Sequence, residues 1–394
     1  MNITSTVNKH MTHAEDLAVF GEDGLKWVIT AFKQLYSNDI KDLNISIKFD
    51  GSPAVFAWTK FSDLPKAGIA IKSFFAKDPK LLYSLDDINR YYSHDPELVV
   101  KLKYMLSYIP SLNIPKGEIW QGDFLFDKEK IKEDDTYYSF HPNTILYKIR
   151  KESELGKKMK IAKLGLIWHT RYTGDSIKNV SAKYDVSISE LTNTDDVFLI
   201  DPYIKFPILD ISFEESEKVK TLISDIKHKI KKIDSTSYNM LTNDSEFVKL
   251  FISFENSLIK NRRHLESTNA MNVLKYFNKF IIEKYKNEEQ KLVTQKAKNS
   301  IQIKSNETLN KTKNIALLDI IEIMKNITIL KHMFIKKIKI NSFETFLQTV
   351  DNKLIHTENE GFAISDKNGN AIKLINRHNF SFANFSNNIK KGWS

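Results

Sequence analysis

The sequence predicts an α+β fold in which a mostly antiparallel sheet, flanked by helices, is interrupted by an all-helical module. Segments that alternate apolar and polar residues, as strands do, recur in the first half of the chain and again near its end. Residues 211–350 contain neither glycine nor proline, and their apolar residues fall at helical spacing. We therefore predict a discontinuous sheet domain at 1–210 and 351–385, a helical insertion at 211–350 and a tail at 386–394.

The first part of the sheet domain mixes helical and strand patterns. It is predicted to begin with a helix at residues 13–36 that is interrupted between Gly21 and Gly24. Further along, the pattern predicts a strand at 68–75, a helix at 85–108, and strands at 118–126 and 164–172.

Residues 44–58 are predicted to form two strands joined by a Gly-Ser-Pro turn. Side chains alternate between the two faces of a strand. Ile45 and Ile47 therefore point to one face, and Ser46 and Lys48 point to the other.

A β-hairpin is predicted after the helical region. Residues 360–365 and 370–375 have strand character, and the Asn368-Gly369 pair between them is a strong signal for a tight turn.

Composition and charge restrict the function. The chain has no cysteine, which excludes disulfides and thiolate chemistry and fits a cytoplasmic location, and it has no apolar run long enough to span a membrane. The net charge is +10, and residues 211–350 contain 25 Lys and Arg against 16 Asp and Glu. A basic helical region of this kind predicts a nucleic-acid partner, although a solvated basic surface has the same composition.

The first chemical signal is Lys-Phe-Asp-Gly at residues 48–51, where a strand enters a turn. A partly desolvated lysine can attack a phosphorus atom and form a covalent phosphoramidate. Lys48 is the candidate nucleophile, with Asp50 as a neighbouring acid and Gly51 admitting the nucleotide.

The second signal lies in the predicted hairpin. Glu360 begins one strand and Lys373 lies on the other, which brings a carboxylate and an ammonium group into one neighbourhood. The carboxylate can bind magnesium, and the lysine can neutralise an α-phosphate.

Together, these motifs resemble the covalent nucleotidyltransferase superfamily of polynucleotide ligases and capping enzymes. The acidic strand of that superfamily corresponds to Gln-Gly-Asp at residues 121–123, where Asp123 is preferred over Glu118 because strand alternation puts Glu118 on the opposite face. The resemblance implies that Asp123 and Glu360 bind the metal, that Asp50 holds ribose or metal, and that Lys373 offsets phosphate charge.

Two further segments are similar to motifs of the superfamily. Ile-Lys-Ser-Phe at residues 71–74 resembles its short strand after the nucleophile, which implies nucleotide binding by Ser73. Residues 166–170 resemble its strand whose aromatic residue stacks on the purine. Trp168 and His169 are both candidates for that stacking position, and they cannot both face the base.

The resemblance implies an ATP-dependent enzyme that forms lysyl-AMP, uses Mg²⁺ or Mn²⁺, and joins the 5′-phosphate and 3′-hydroxyl ends of RNA or DNA. RNA-ligase-type enzymes are the nearer parallel, because too few residues follow the last motif for an OB-fold domain. A group of phage proteins is similar over residues 48–55 and 121–123, which implies the cytoplasm of an infected host.

Three departures from the superfamily pattern motivate alternative functions. Proline occupies position 53, Lys373 has no second motif lysine beside it, and Asp123 stands where glutamate is usual. A degenerate fold that binds nucleic acid or a virion without catalysis is one alternative. Transfer of AMP or GMP to another acceptor is a second, and the pattern decides neither ATP against GTP nor the oligomeric state.

Overall fold

The computed structural model of the protein describes residues 11–204, 211–338, 340 and 342–392. Its strands are β1 (Thr12–His13), β2 (Leu43–Lys48), β3 (Ala54–Trp58), β4 (Gly68–Ala70), β5 (Glu118–Asp127), β6 (Lys132–Glu133), β7 (Tyr137–Phe140), β8 (Ile145–Arg150), β9 (Leu164–Ser176), β10 (Asn179–Lys183), β11 (Val197–Leu199), β12 (Glu344–Gln348), β13 (Leu354–His356), β14 (Gly361–Asp366) and β15 (Ala371–Ile375). Its α-helices are α1 (Glu22–Ser37), α2 (Leu85–Tyr92), α3 (Pro96–Tyr108), α4 (Glu154–Ile161), α5 (Phe213–Lys232), α6 (Ser235–Thr242), α7 (Ser245–Lys260), α8 (Ala270–Glu289), α9 (Gln295–Lys311), α10 (Ala316–Lys337) and α11 (Phe380–Phe385).

The strands form three sheets, which confirms the predicted α+β class with mostly antiparallel pairing. Sheet A has the order β1-β15-β14-β2, sheet B the order β10-β9-β5-β3-β4 with β11 beside β9, and sheet C the order β13-β12-β8-β7-β6. Two pairs are parallel, β1 with β15 and β11 with β9. The loop between β2 and β3 joins sheet A to sheet B.

Sheet A has one face against helices and one face that contributes to a cavity. Ile45, Ile364 and Ile372 are buried in a core that also contains apolar side chains of α1, α5, α7, α8 and α10. Their sequence neighbours Ser46 and Lys373 point the other way, as the period of a strand requires. The opposite faces predicted for Ile45 and Ser46 and the predicted hairpin are therefore confirmed, whereas Ile47 borders both the core and the cavity.

The helical region packs directly on sheet A. Helix α10 is its central element and is buried along most of its length, from Ala316 to Ile335. The helices end at Lys337, and the following strand β12 pairs with β8 in sheet C. Phe343 and Thr345 are both buried, and this spacing of two residues is that of a strand. The predicted helical range 211–350 wrongly included this strand. The predicted boundary at residue 210 lies outside the described residues.

Several predicted elements have different limits in the structure. The predicted helix at 13–36 is instead β1, a 3₁₀ turn at Glu15–Val19 and α1, which starts after Gly21 with φ of 103°. The predicted helix at 85–108 is two helices, because Asp95 caps the second and Pro96 occupies its first turn.

The predicted tail is held against sheet C where the structure describes it. The Lys390 N–H donates to the Gln348 carbonyl at 2.8 Å, and the Gly392 N–H donates to the Asn143 carbonyl at 2.7 Å. Its last two residues lie outside the described residues, as do the first ten residues of the predicted sheet domain. Among the described helices, none combines the length and the apolar character that crossing a bilayer needs.

Candidate active site between sheets A and B

A cavity of about 210 Å³ opens between sheets A and B. It is lined from sheet A by Ser46, Ile47, Lys48, Ala363 and Lys373, from sheet B by Ala54, Gln121, Asp123, Ile167, His169 and Thr170, and from elsewhere by Met11, Phe49 and Tyr184.

Lys48 is the last residue of β2 and points into this cavity. Its Nζ lies 2.7 Å from Oε2 of Glu360, a buried carboxylate directly before β14. The pairing of β2 with β14 places Gly361 opposite Lys48, which brings the two charged groups together. The absence of a side chain at Gly361 permits this register, because a Cβ there would overlap the carbonyl oxygen of Leu374 on β15.

The loop after Lys48 is fixed by Asp50, whose carboxylate is turned toward sheet C. One oxygen accepts from the N–H groups of Thr144 and Ile145 at 2.6 and 2.8 Å, and the other accepts from the Asn143 side chain. Asp50 was predicted as a catalytic acid that holds ribose or metal. Its carboxylate does not line the cavity and accepts three protein donors, so in this structure it positions the loop that carries Lys48.

Gly51 has a similar positioning role in the same loop. A Cβ at this position would overlap Cβ of Asp123 and approach the carbonyl oxygen of Phe124. Glycine therefore allows the loop to lie directly on β5, although the residue was predicted to admit the nucleotide.

A β-bulge directs His169 into the cavity. Gln121 pairs with Thr170, whereas the next residue, Gly122, pairs with Trp168, so His169 is the extra residue of β9. Its Nε2 lies 3.7 Å from Oδ2 of Asp123. Of the two candidates for base stacking, His169 therefore faces the cavity, and the Trp168 indole is fully buried in the core on the other face.

The bulge predicts that Gly122→Ala destabilises the protein. A Cβ there would overlap the backbone carbonyl of Ile167, which cannot move without breaking the β5–β9 ladder. We expect a loss of about 1–3 kcal/mol in the free energy of unfolding, measured by urea denaturation. Gly24→Ala in α1 is the control, since its Cβ would meet Leu17 at ordinary contact distance, and it is expected to be neutral or stabilising. Equal losses in both variants would contradict this explanation.

Lys373 supplies a second positive charge to the cavity. It lies on β15 opposite Ala363, and among the described residues it makes no ion pair. Burial lowers the pKa of Lys373, and the nearby Lys48 lowers it further. Its neighbour on β1, His13, stays neutral because burial and Lys373 hold the pKa of the imidazole well below its usual value. An unpaired, partly buried ammonium group facing a cavity is suited to binding an anion.

The two acids of the site titrate near neutral pH. Burial raises the pKa of Asp123 and that of Glu360 to about 7, against the opposing charge of Lys48. Burial alone would lower the pKa of Lys48, but Glu360 and Asp123 outweigh it and raise the value. In the ligand-free site Lys48 is therefore charged, but its single positive charge does not balance the charges of the two ionised carboxylates.

Because one lysine does not balance the two carboxylates, we predict that Asp123→Asn stabilises the ligand-free protein at pH 8. The pKa of Asp123 is higher in the folded state than in the unfolded state, so its ionisation destabilises the fold. This destabilisation is absent below about pH 4 and grows as the pH rises through about 7. We expect a gain on the order of 2–4 kcal/mol at pH 8 and almost none at pH 4, measured by urea denaturation. The exposed control Asp175→Asn should change stability by less than about 0.5 kcal/mol at either pH. A destabilised Asp123→Asn at pH 8 would contradict the prediction.

Two sequence candidates lie outside the cavity lining. The Ser73 hydroxyl is buried in the turn after β4 and has no hydrogen-bond partner within the described part of the chain. Strand β4 ends at Ala70 rather than at the predicted Phe75. Glu118, the alternative to Asp123, instead accepts hydrogen bonds from the Trp120 indole at 2.7 Å and from Arg171 at 3.3 Å.

Sequence reasoning missed three polar residues of the cavity. Gln121 shares the Asp123 face of β5, and its side-chain oxygen accepts from Tyr172 at 2.6 Å, which leaves its N–H₂ group as a donor. Strand alternation could have identified this residue. Thr170 and Tyr184 could not have been identified in this way, because the bulge in β9 and the path of the chain after β10 set their positions.

The acids of the site are suited to a hard cation. Glu360 offers buried carboxylate oxygens and Asp123 offers partly exposed ones. Such oxygens are the donors that Mg²⁺ and Mn²⁺ prefer, and both residues act electrostatically on Lys48. Their raised pKa values show that one lysine does not compensate them fully. A divalent cation would supply the missing charge.

Residues 8–390 of the chain match the family described as "Family of unknown function (DUF6267)". The matched span includes the strands of both sheets that form the cavity and the helices between them. No curated protein and no solved structure matches the chain.

Proposed function

We propose that this chain, which belongs to the DUF6267 family of unknown function, is a nucleotidyltransferase that takes AMP from ATP onto Lys48 and passes it to a 5′-phosphorylated nucleic-acid end. One observation carries the proposal: Lys48, Asp123 and Lys373 line one cavity, and Glu360 contacts Lys48 there. These residues come from three distant parts of the chain. They combine a nucleophile, two acids and an anion-binding cation, which is the set that phosphoryl transfer through a lysine needs.

In the first step, Nζ of Lys48 attacks the α-phosphorus of ATP. A nitrogen–phosphorus bond forms, the bond from the α-phosphorus to the bridging oxygen breaks, and pyrophosphate leaves. Lys48 has to lose a proton to react, and Glu360 lies 2.7 Å away to accept it. Burial raises the pKa of Glu360 to about 7, so this carboxylate can hold a proton near neutral pH.

The remaining groups act by charge and position. Magnesium held by Asp123 and Glu360 would neutralise phosphate oxygens and favour the neutral form of Lys48. Among the described residues, Lys373 has no ion-pair partner to compete for it, and we propose that it offsets the charge on the α-phosphate. His169 is neutral, since burial lowers its pKa to about 3, and lines the part of the cavity proposed for the base.

In the second stage, an oxygen of a 5′-phosphate attacks the phosphorus of lysyl-AMP. The nitrogen–phosphorus bond breaks, and Lys48 recovers its proton from Glu360. A 3′-hydroxyl then attacks the activated 5′-phosphate, and AMP leaves. We propose a nucleic-acid acceptor because the sequence of residues 211–350, which includes the helices packed on sheet A, contains 25 Lys and Arg against 16 Asp and Glu. Of RNA and DNA, we propose RNA as the acceptor.

Labelling with α-³²P-ATP tests the proposal. The full-length protein is incubated with labelled ATP and Mg²⁺, and a denaturing gel is expected to show a labelled band. Peptide mass spectrometry should place AMP on the peptide that contains Lys48. A chase with 5′-phosphorylated RNA should remove the label, and the same RNA without its phosphate should not. No label with ATP or with α-³²P-GTP would sink the proposal.

A non-catalytic binding protein is the second candidate function. The observation that favours it is the Lys48–Glu360 ion pair, which keeps the ligand-free lysine charged and therefore unreactive. It predicts nucleotide or nucleic-acid binding without any covalent label, so the same gel separates the two functions.

A further inference from the structure

Three histidines and a glutamate meet on the far side of sheet A from the cavity. Nδ1 of His264 lies 3.3 Å from Oε1 of Glu266, and Nε2 of His378 lies 3.9 Å from the other oxygen of that carboxylate. The rings of His264 and His378 stack with centroids 3.7 Å apart. A third histidine, His332, places Nδ1 3.6 Å from Glu266. None of these residues lines the cavity between sheets A and B.

The cluster joins three separate segments of the chain. His264 and Glu266 lie in the connection between α7 and α8, His332 lies on α10, and His378 lies in the turn between β15 and α11. A group bound here would therefore tie the helical region to the strand that carries Lys373.

The surroundings leave donor atoms open and do not add a free positive charge. Oε2 of Glu266 is buried without a hydrogen-bond partner among the described residues. Three cations line the cavity beside the cluster. Lys331 and Arg377 are each paired with Glu15, and the guanidinium of Arg263 lies over the ring of Tyr276. A small cavity of about 20 Å³ adjoins the cluster, and His264 is half exposed, which gives an ion a path from solvent.

We infer that His264, Glu266 and His378 bind a divalent transition-metal ion of the zinc class. Their candidate ligand atoms all lie within 4.8 Å of one another. Two imidazoles and one carboxylate are a known ligand set for zinc, with a fourth position left for water. Nitrogen donors select zinc, cobalt or nickel over magnesium, which separates this site from the acids of the cavity.

Metal content and titration test the inference on the full-length protein. Protein stripped with a chelator and dialysed is titrated with Zn²⁺ by calorimetry, and metal retained after desalting is measured by mass spectrometry. We expect one zinc per chain, a concentration-dependent rise in Tm, and no such rise with equimolar Mg²⁺. Cobalt in place of zinc should give visible absorption bands that zinc abolishes on addition.

Matched variants locate the ion. His264→Ala and Glu266→Gln are expected to lose the retained zinc, whereas His228→Ala, an exposed histidine on α5, should keep it. Asp123→Asn should also keep it, because that residue belongs to the other cavity. Tm values of all variants in chelator report whether they fold, and His264, being half exposed, tolerates truncation best. Absence of zinc binding and of cobalt bands in the wild type would overturn the inference, as would zinc retained by His264→Ala and Glu266→Gln or lost in Asp123→Asn.

Discussion

Lys48→Ala is expected to abolish the transfer of label from α-³²P-ATP to the protein, a loss of at least ~10³-fold in the rate of adenylation. The reason is chemical, since alanine offers no atom that can bond to phosphorus. Lys48→Arg is expected to fail as well, although it keeps the charge opposite Glu360, because a guanidinium group does not release its proton in a protein. Both variants are measured by gel autoradiography beside the wild type.

A second substrate separates loss of the nucleophile from loss of the fold. Once AMP is on the 5′-phosphate, the joining step no longer needs Lys48 as a nucleophile. Lys48→Arg should therefore still join a chemically pre-adenylated RNA. The matched control is Lys148→Ala, which removes a strand lysine paired with Asp134 in sheet C and should label normally. A labelled band in Lys48→Ala would show that another residue carries the AMP.

The sequence predicted the parts of the site that depend on local periodicity. Alternation along β2 put Lys48 on the face opposite Ile45, and the Asn368-Gly369 turn defined the hairpin that carries Glu360 and Lys373. In both cases the information lies within a few residues of the feature that it predicts. Lys48, Glu360 and Lys373 then lie close together because β14 pairs with both β2 and β15.

Other parts of the site depend on contacts that local patterns do not encode. The bulge that turns His169 inward exists because β5 and β9 slip by one residue at Gly122, and a single strand does not reveal its partner's register. The role of Asp50 depends on N–H groups at Thr144 and Ile145, more than ninety residues away. For the same reason, the sequence did not predict sheet C or the docking of the helices on sheet A.

A buried ionic network joins those helices to the hairpin that carries Glu360 and Lys373. Lys331 on α10 is fully buried, and its Nζ lies 2.6 Å from Glu15. Arg377, just after β15, contacts Glu15 at 3.5 Å and Asp16 at 3.6 Å. Burial raises the pKa of the adjacent Glu255 well above its usual value, which favours its protonated form. The network therefore positions the end of the strand that carries Lys373.

Lys331→Met is expected to lower the free energy of unfolding by about 3–5 kcal/mol at pH 7, because it leaves a buried carboxylate without its closest partner. Burial acts to raise the pKa of Glu15, but Lys331 and Arg377 lower it to about 2. A carboxyl group with a lowered pKa stabilises the fold at pH values above its pKa in the unfolded chain. That stabilisation is lost as the pH falls through about 2. The deficit of the variant, measured by urea denaturation, should therefore shrink between pH 7 and pH 3.

A double-mutant cycle distinguishes the ion pair from simple packing. Glu15→Gln combined with Lys331→Met should recover much of the loss, because replacing both members of a buried pair removes the uncompensated charge. Lys325→Met on the same helix, whose partner Glu322 is partly exposed, should lose no more than about 1 kcal/mol. If Lys331→Met were as stable as Lys325→Met, the network would not be what holds α10 to the hairpin, and apolar contacts of α10 with Ile372 and Leu374 would have to do so alone.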